Sequence, residues 1–178
     1  IGWSGSSSGF SYLYQIERQL LQVFEFFPDW KLLIVADKPP QFRYLSDKQY
    51  LFQRWQPDIE VAAIQRMSVG IMPLHDDPWA KGKCSYKMLL YMACAVPCVV
   101  SDVGMNSDIL AQAKVGIGIT ADINWTEALN QLIEDETLRQ EMGKAGRNLI
   151  ESDYSLDMAF SKWCVLLRRV QRQHSTTG

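Results

Sequence analysis

The chain has 178 residues, 47% of them hydrophobic and 21% charged, with a formal net charge of −2. That length suits one domain of ordinary size, or at most two small ones, with a full hydrophobic core that needs no disulfide or metal to hold it, and the composition excludes collagen, a coiled coil or a disordered tail. A pI near 5.7 argues against a nucleic-acid partner, which requires a strongly basic surface.

Ile1 to Ser4 reads as a short strand with nothing before it, as in a fragment, and Gly5 to Gly9 follows as a flexible Gly/Ser turn. Phe10 to Phe27 reads as one helix with Leu13, Ile16, Leu20, Val23, Phe24 and Phe27 on one face. Lys31 to Ala36 is a continuous apolar run, the pattern of a strand buried on both faces. Strands are then expected at Tyr50 to Trp55, Val69 to Leu74, Cys98 to Ser101 and Val115 to Ile119. Helices between them are expected at Asp58 to Met67, Ser85 to Ala95 and Ser107 to Ala113. This alternation predicts an α/β fold, a Rossmann-like parallel sheet of about six strands with helices on both faces. After Thr120 only helices are expected. Asn124 to Glu127 resembles a capping box, Asp135 caps a second helix, and Ser155 opens a long amphipathic one. Its apolar side carries Leu156, Ala159, Phe160, Trp163, Leu166 and Leu167, and the tail from Gln171 to Gly178 is expected to fray.

The opening residues carry neither the basic nor the apolar region of a signal peptide, and no apolar run approaches bilayer length. A cytoplasmic protein without a transmembrane segment is expected. The four cysteines, Cys84, Cys94, Cys98 and Cys164, form no CxxC, and the only histidines are His75 and His174. Structural zinc is therefore not expected. Cys94 and Cys98 read as small buried hydrophobes.

Ligands of open α/β sheets bind beyond the carboxyl ends of the strands, and three loops fall there. Ser4 to Gly9 lets backbone amides approach a phosphate at a helix start, or is a plain turn. The segment from His75 to Lys87 carries Lys83 and Lys87, spaced four apart as on one helix face. Cations at a helix start oppose its dipole, which a bound anion would offset; the alternative is a solvated basic edge paired with Asp76 and Asp77. Asp102 to Ser107 offers Gly104 for close backbone approach and Asn106 or Ser107 as a helix cap. Together the three loops suit a diphosphate. Neither GxGxxG nor GxxxxGK[ST] occurs, and His75 has no nucleophile at a motif position.

The run VGIMPLHDDPWAKGKCSYKMLLYMACAVPCVVSDVGMNSDIL, with the ending ETLRQEMGKAGRNLIESDYSLDMAFSKW, resembles the nucleotide-sugar-binding half of glycosyltransferases of the GT-B fold, in the family 4 group. The resemblance implies that residues 1–178 form the C-terminal domain of a two-domain enzyme whose N-terminal acceptor-binding domain is absent. It implies transfer of a sugar from a nucleotide diphosphate donor, with retention and with neither metal nor cofactor. By position, Gly5 and Ser6 would approach the phosphates, Lys83 and Lys87 would supply charge, and Gly104, Met105 and Asn106 would lie near the sugar and diphosphate. Many members carry two glutamates where this chain has Gly82 and Leu90, the second of them holding the ribose hydroxyls. Ala95 stands where this branch has glycine, and the cations of the first loop are missing. Three further expectations follow: an isolated chain that folds but transfers no sugar, catalytic residues not identified within this half, and a rim carrying exposed Trp3, Trp79 and Met105. The alternatives are a non-catalytic nucleotide-binding or interaction module of the same fold, and an NAD-dependent domain, which the missing GxGxxG disfavours.

Overall fold

A computed structural model describes residues 1–175. Six parallel strands, β1 (Gly2–Ser4), β2 (Leu32–Ala36), β3 (Tyr50–Arg54), β4 (Gly70–Met72), β5 (Cys98–Ser101) and β6 (Gly116–Ile119), lie in the order β3-β2-β1-β4-β5-β6. Strand order reverses between β1 and β4, so the crevice of this doubly wound sheet opens at their carboxyl ends. The period-two rule sorts the strand residues between two cores. Leu32, Ile34 and Ala36 join Trp3, Leu13, Leu20 and Leu129 on one face, while Leu33 and Val35 join Ile64, Met88, Tyr91 and Ile109 on the other.

The helices are α1 (Phe10–Gln15), α2 (Glu17–Phe26), α3 (Glu60–Gln65), α4 (Pro78–Lys81), α5 (Tyr86–Ala93), α6 (Met105–Leu110), α7 (Trp125–Glu134), α8 (Glu136–Leu149) and α9 (Leu156–Ser175). The helix expected over Phe10 to Phe27 is broken at Ile16, where φ is −100° and ψ is 7°. The break turns the buried Glu17 carboxylate toward the amides of Tyr44 and Leu45. Asn124 and Glu127 form a full capping box, and the Asp135 side chain accepts from the Leu138 amide at 2.8 Å. A π-helical turn, Ile150–Tyr154, joins α8 to α9. The apolar side of α9 is not buried within this domain: Leu156, Phe160, Trp163, Leu166 and Leu167 are exposed. The fraying expected from Gln171 onward is not seen as far as Ser175, where α9 ends; residues 176–178 lie outside the described residues.

At the switch point β1 and β4 share only the pairing Gly2↔Gly70. Beyond it the buried Tyr91 hydroxyl stands between the strands, accepting from the Ser4 amide and donating to the Ile71 carbonyl, each at 3.1 Å. Burial holds the phenol pKa above its ordinary value. Gly70 leaves room for the ring, since a Cβ there would lie 2.5 Å from it.

Ala95, just past the end of α5, has φ 57°. The left-handed backbone at this position is the reason glycine suits it. Cys98 is buried and its thiol is pushed up to about 12, while Cys94 is only partly covered.

Candidate functional site

The loop after β1 is built around Trp3 and Lys87. Trp3 was expected on an exposed rim, yet it is only 2% exposed. Its side chain lies on the strand face that packs against α1, with its ring 5.4 Å from that of Phe10. Lys87, in the first turn of α5, passes over this loop with Nζ 5.5 Å from the Trp3 ring centroid. Gly5 lies beneath it, and a Cβ there would lie 2.6 Å from Lys87 Cε and 2.9 Å from the indole, so a side chain at this position would displace the lysine. The loop amides are largely committed. Gly5 donates to the Val35 carbonyl, Ser7 to Asp37 Oδ1 at 2.6 Å, and Gly9 to the Ser6 carbonyl. Asp37 Oδ2 also accepts from the Ser7 hydroxyl at 2.9 Å, and these two bonds hold the carboxyl below its ordinary pKa.

The two lysines do not share a helix face. Lys83 lies in the loop between α4 and α5, because Ser85 adopts a left-handed conformation (φ 52°, ψ 30°) and α5 begins only at Tyr86. The loop nevertheless brings the lysines together. Lys83 Nζ donates to the Tyr12 hydroxyl at 3.1 Å and sits 4.3 Å from that ring's centroid. His75 packs on the same tyrosine ring at 5.1 Å. Burial, and then the charge of Lys83, lower the Lys87 pKa. Among the described residues neither lysine has a carboxylate partner. Asp76 pairs with Lys81 at 2.8 Å, and Asp77 caps α4 through the Ala80 amide at 2.6 Å. Asp76 therefore neutralises Lys81 at this exposed edge, and neither Asp76 nor Asp77 pairs with Lys83 or Lys87.

The third loop is placed differently. Gly104 takes φ +55° and meets α4 closely; a Cβ there would lie 2.9 Å from Lys81 Cα. Helix α6 begins at Met105, so neither Asn106 nor Ser107 is its cap. Asn106 is fully buried, and its Nδ2 donates to the Ser101 carbonyl at 2.9 Å. Met105 is half-buried against the second core.

Two clefts flank Lys87 and share it with Ser6. One, of about 380 Å³, is lined by Tyr12, Leu74, Trp79 and Lys83. The other, of about 330 Å³, is lined by Gly5, Asp37, Trp55, Glu60, Tyr86 and Leu90. Gly5, Ser6, Lys83 and Lys87 are thus brought together, whereas Gly104, Met105 and Asn106 line neither cleft. Trp79 is 75% exposed at the rim, as expected. Gly82 ends α4 at the surface. Asp37, Trp55 and Glu60 were not singled out from the sequence; that Asp37 and Trp55 directly follow strands is the signal that could have found them.

Residues 3–135 match the family of glycosyl transferases group 1. The chain belongs to this family. No curated protein matches the chain. Among solved structures, the C-terminal domain of LpcC, a glycosyl transferase group 1 family protein from Francisella tularensis, is 18% identical with a TM-score of 0.66, covering 87% of this chain and 86% of that one. Sucrose-phosphate synthase from Thermosynechococcus elongatus is 16% identical with a TM-score of 0.72, over 97% of this chain and 46% of that one. WaaG, a glycosyltransferase involved in lipopolysaccharide biosynthesis, is 17% identical with a TM-score of 0.67, over 85% of this chain and 42% of that one. At these identities the likeness shows the fold, the GT-B glycosyltransferase fold. The chain spans less than half the length of the latter two. Among the described residues no helix is long and apolar enough to cross a membrane.

Proposed function

We propose that this group 1 glycosyl transferase chain is a donor-binding domain. In this reading residues 1–178 hold a nucleotide diphosphate sugar, and the sugar passes with retention to an acceptor carried by a separate N-terminal domain. The reaction is read as metal-free and cytoplasmic. The observation that carries the reading is Lys87, a half-buried ammonium beside a second lysine with no carboxylate to neutralise either. Taking a cation out of water without a partner is costly, and a diphosphate bridging Lys83 and Lys87 offsets that cost. The same charges stabilise the diphosphate as it leaves with its bonding electrons, which lowers the barrier to transfer. With three loop amides already engaged, the lysines carry most of this work, and Gly5 supplies the space for Lys87.

Exposed Trp79 at the cleft rim and, separately, the uncovered apolar side of α9 support a second domain, as does the chain's spanning less than half the length of two of the similar structures. Isothermal titration calorimetry with UDP, GDP and NAD tests the reading. Binding of UDP or GDP, but not NAD, is expected, with no sugar transfer by this chain alone. Silence with both diphosphates would leave a non-catalytic module, and turnover by the isolated chain would remove the second domain.

A further inference from the structure

The 330 Å³ cleft holds two carboxylates in different states. Both oxygens of Asp37 are committed to Ser7. Glu60, at the start of α3, accepts from the Trp55 indole N–H through Oε1 at 2.7 Å. Among the described residues no group donates to its Oε2, and no cation pairs with it. The indole bond fixes the side chain of this cleft-lining residue and leaves its second oxygen without a donor among the described residues. Trp55, Tyr86, the apolar Leu90 and Lys87 line the same cleft.

A cleft lined by two aromatic residues, a lysine and a fixed acceptor suits a nucleoside whose phosphates reach Lys87. An ionised carboxylate only accepts hydrogen bonds. Its complement is a group with adjacent O–H donors, and the vicinal 2′,3′-diol of ribose is such a group. Leu90, on the same cleft, has no polar atom to offer. We propose that Glu60 is the specificity-determining residue for ribose, its Oε2 accepting from the 2′,3′-diol while Trp55 holds the carboxylate in place. This rests on the donor-binding reading.

The test is calorimetry of this chain with UDP and GDP and with their 2′,3′-dideoxy counterparts. A hydrogen bond to a charged group corresponds to about a ten-fold change in affinity or more. Wild type should bind the ribonucleotides about ten-fold tighter than the dideoxy forms, and Glu60→Ala should bind both alike. Lys87→Ala should weaken all four ligands and leave that ratio unchanged, a pattern a merely structural Glu60 would not produce. Should Glu60→Ala fail to fold, Glu60→Gln retains an acceptor for the indole and must show a smaller ratio than wild type. Equal wild-type affinity for both forms, or an undiminished ratio in the Glu60 variants, overturns the proposal while leaving diphosphate binding intact. Recognition of a base donor by Glu60 gives this second result, because its loss would then weaken ribo and dideoxy forms together. Absence of any nucleotide binding overturns the donor-binding reading and this proposal with it.

Discussion

Replacing Lys87 by alanine separates the lysine's cost to folding from its value in binding. In the folded chain the ammonium is half-buried, lies over the Trp3 ring at 5.5 Å, and is repelled by Lys83. Its loss removes a cation–π contact of about 0.5–2 kcal/mol and some stem packing, but also relieves desolvation and like-charge repulsion. These changes oppose each other, so folding stability should move by no more than about 1 kcal/mol. Diphosphate binding has no such compensation. One charge-assisted hydrogen bond of roughly 1.5–3 kcal/mol corresponds to a ten-fold loss or more, while the parent nucleoside should bind both proteins equally. The pH dependence supplies a second readout. The folded Lys87 pKa lies below its ordinary value of 10.5, so the unfolded chain binds that proton more tightly. The resulting penalty is fully present at neutral pH. It disappears as pH climbs from the lowered folded value to the unfolded one, so stability rises across that window. Urea unfolding of wild type should gain on Lys87→Ala over that interval. An unchanged diphosphate affinity refutes the phosphate role, and a variant that unfolds makes Lys87 structural.

Two other substitutions probe the scaffold. Ala95→Gly should stabilise the fold by about 0.5–1 kcal/mol in chemical denaturation, because the exposed residue sits at φ 57°; left-handed strain of roughly 1–2 kcal/mol outweighs the added unfolded-state entropy. Tyr91→Phe should destabilise by about 1–3 kcal/mol, since the Ser4 amide and Ile71 carbonyl lose their shared buried partner; an unchanged denaturation midpoint would mean that the strands close on each other instead.

The sheet was legible because each buried strand is a run of apolar residues ended by a turn residue, as in KLLIVA before Asp37. The helix break at Ile16 was not, since an apolar stripe continues unbroken past a residue that changes only its backbone angles. Ser85 hid the loop geometry in the same way: a left-handed serine looks like any serine, so Lys83 read as continuing the helix face of Lys87. The family resemblance put Trp3 on the rim, and a three-residue strand is too short for its pattern to show that this face meets the core. For α9 the amphipathic pattern correctly marked an apolar side, but a pattern carries no information on whether the surface that covers it belongs to the same domain. Glu60 and Trp55 escaped notice because neither residue type is distinctive until the fold sets them beside Lys87.

The contact between Gly104 and Lys81 bears on how this site can diverge. Position 104 has no room for a Cβ while the α4 backbone stays where it is, and its φ of +55° disfavours any other residue. The Lys81 backbone in segment 76–87 and Gly104 in loop 102–107 are therefore sterically coupled. A chimera that grafts one of these loops has to keep either glycine at position 104 or an α4 backbone moved away from it.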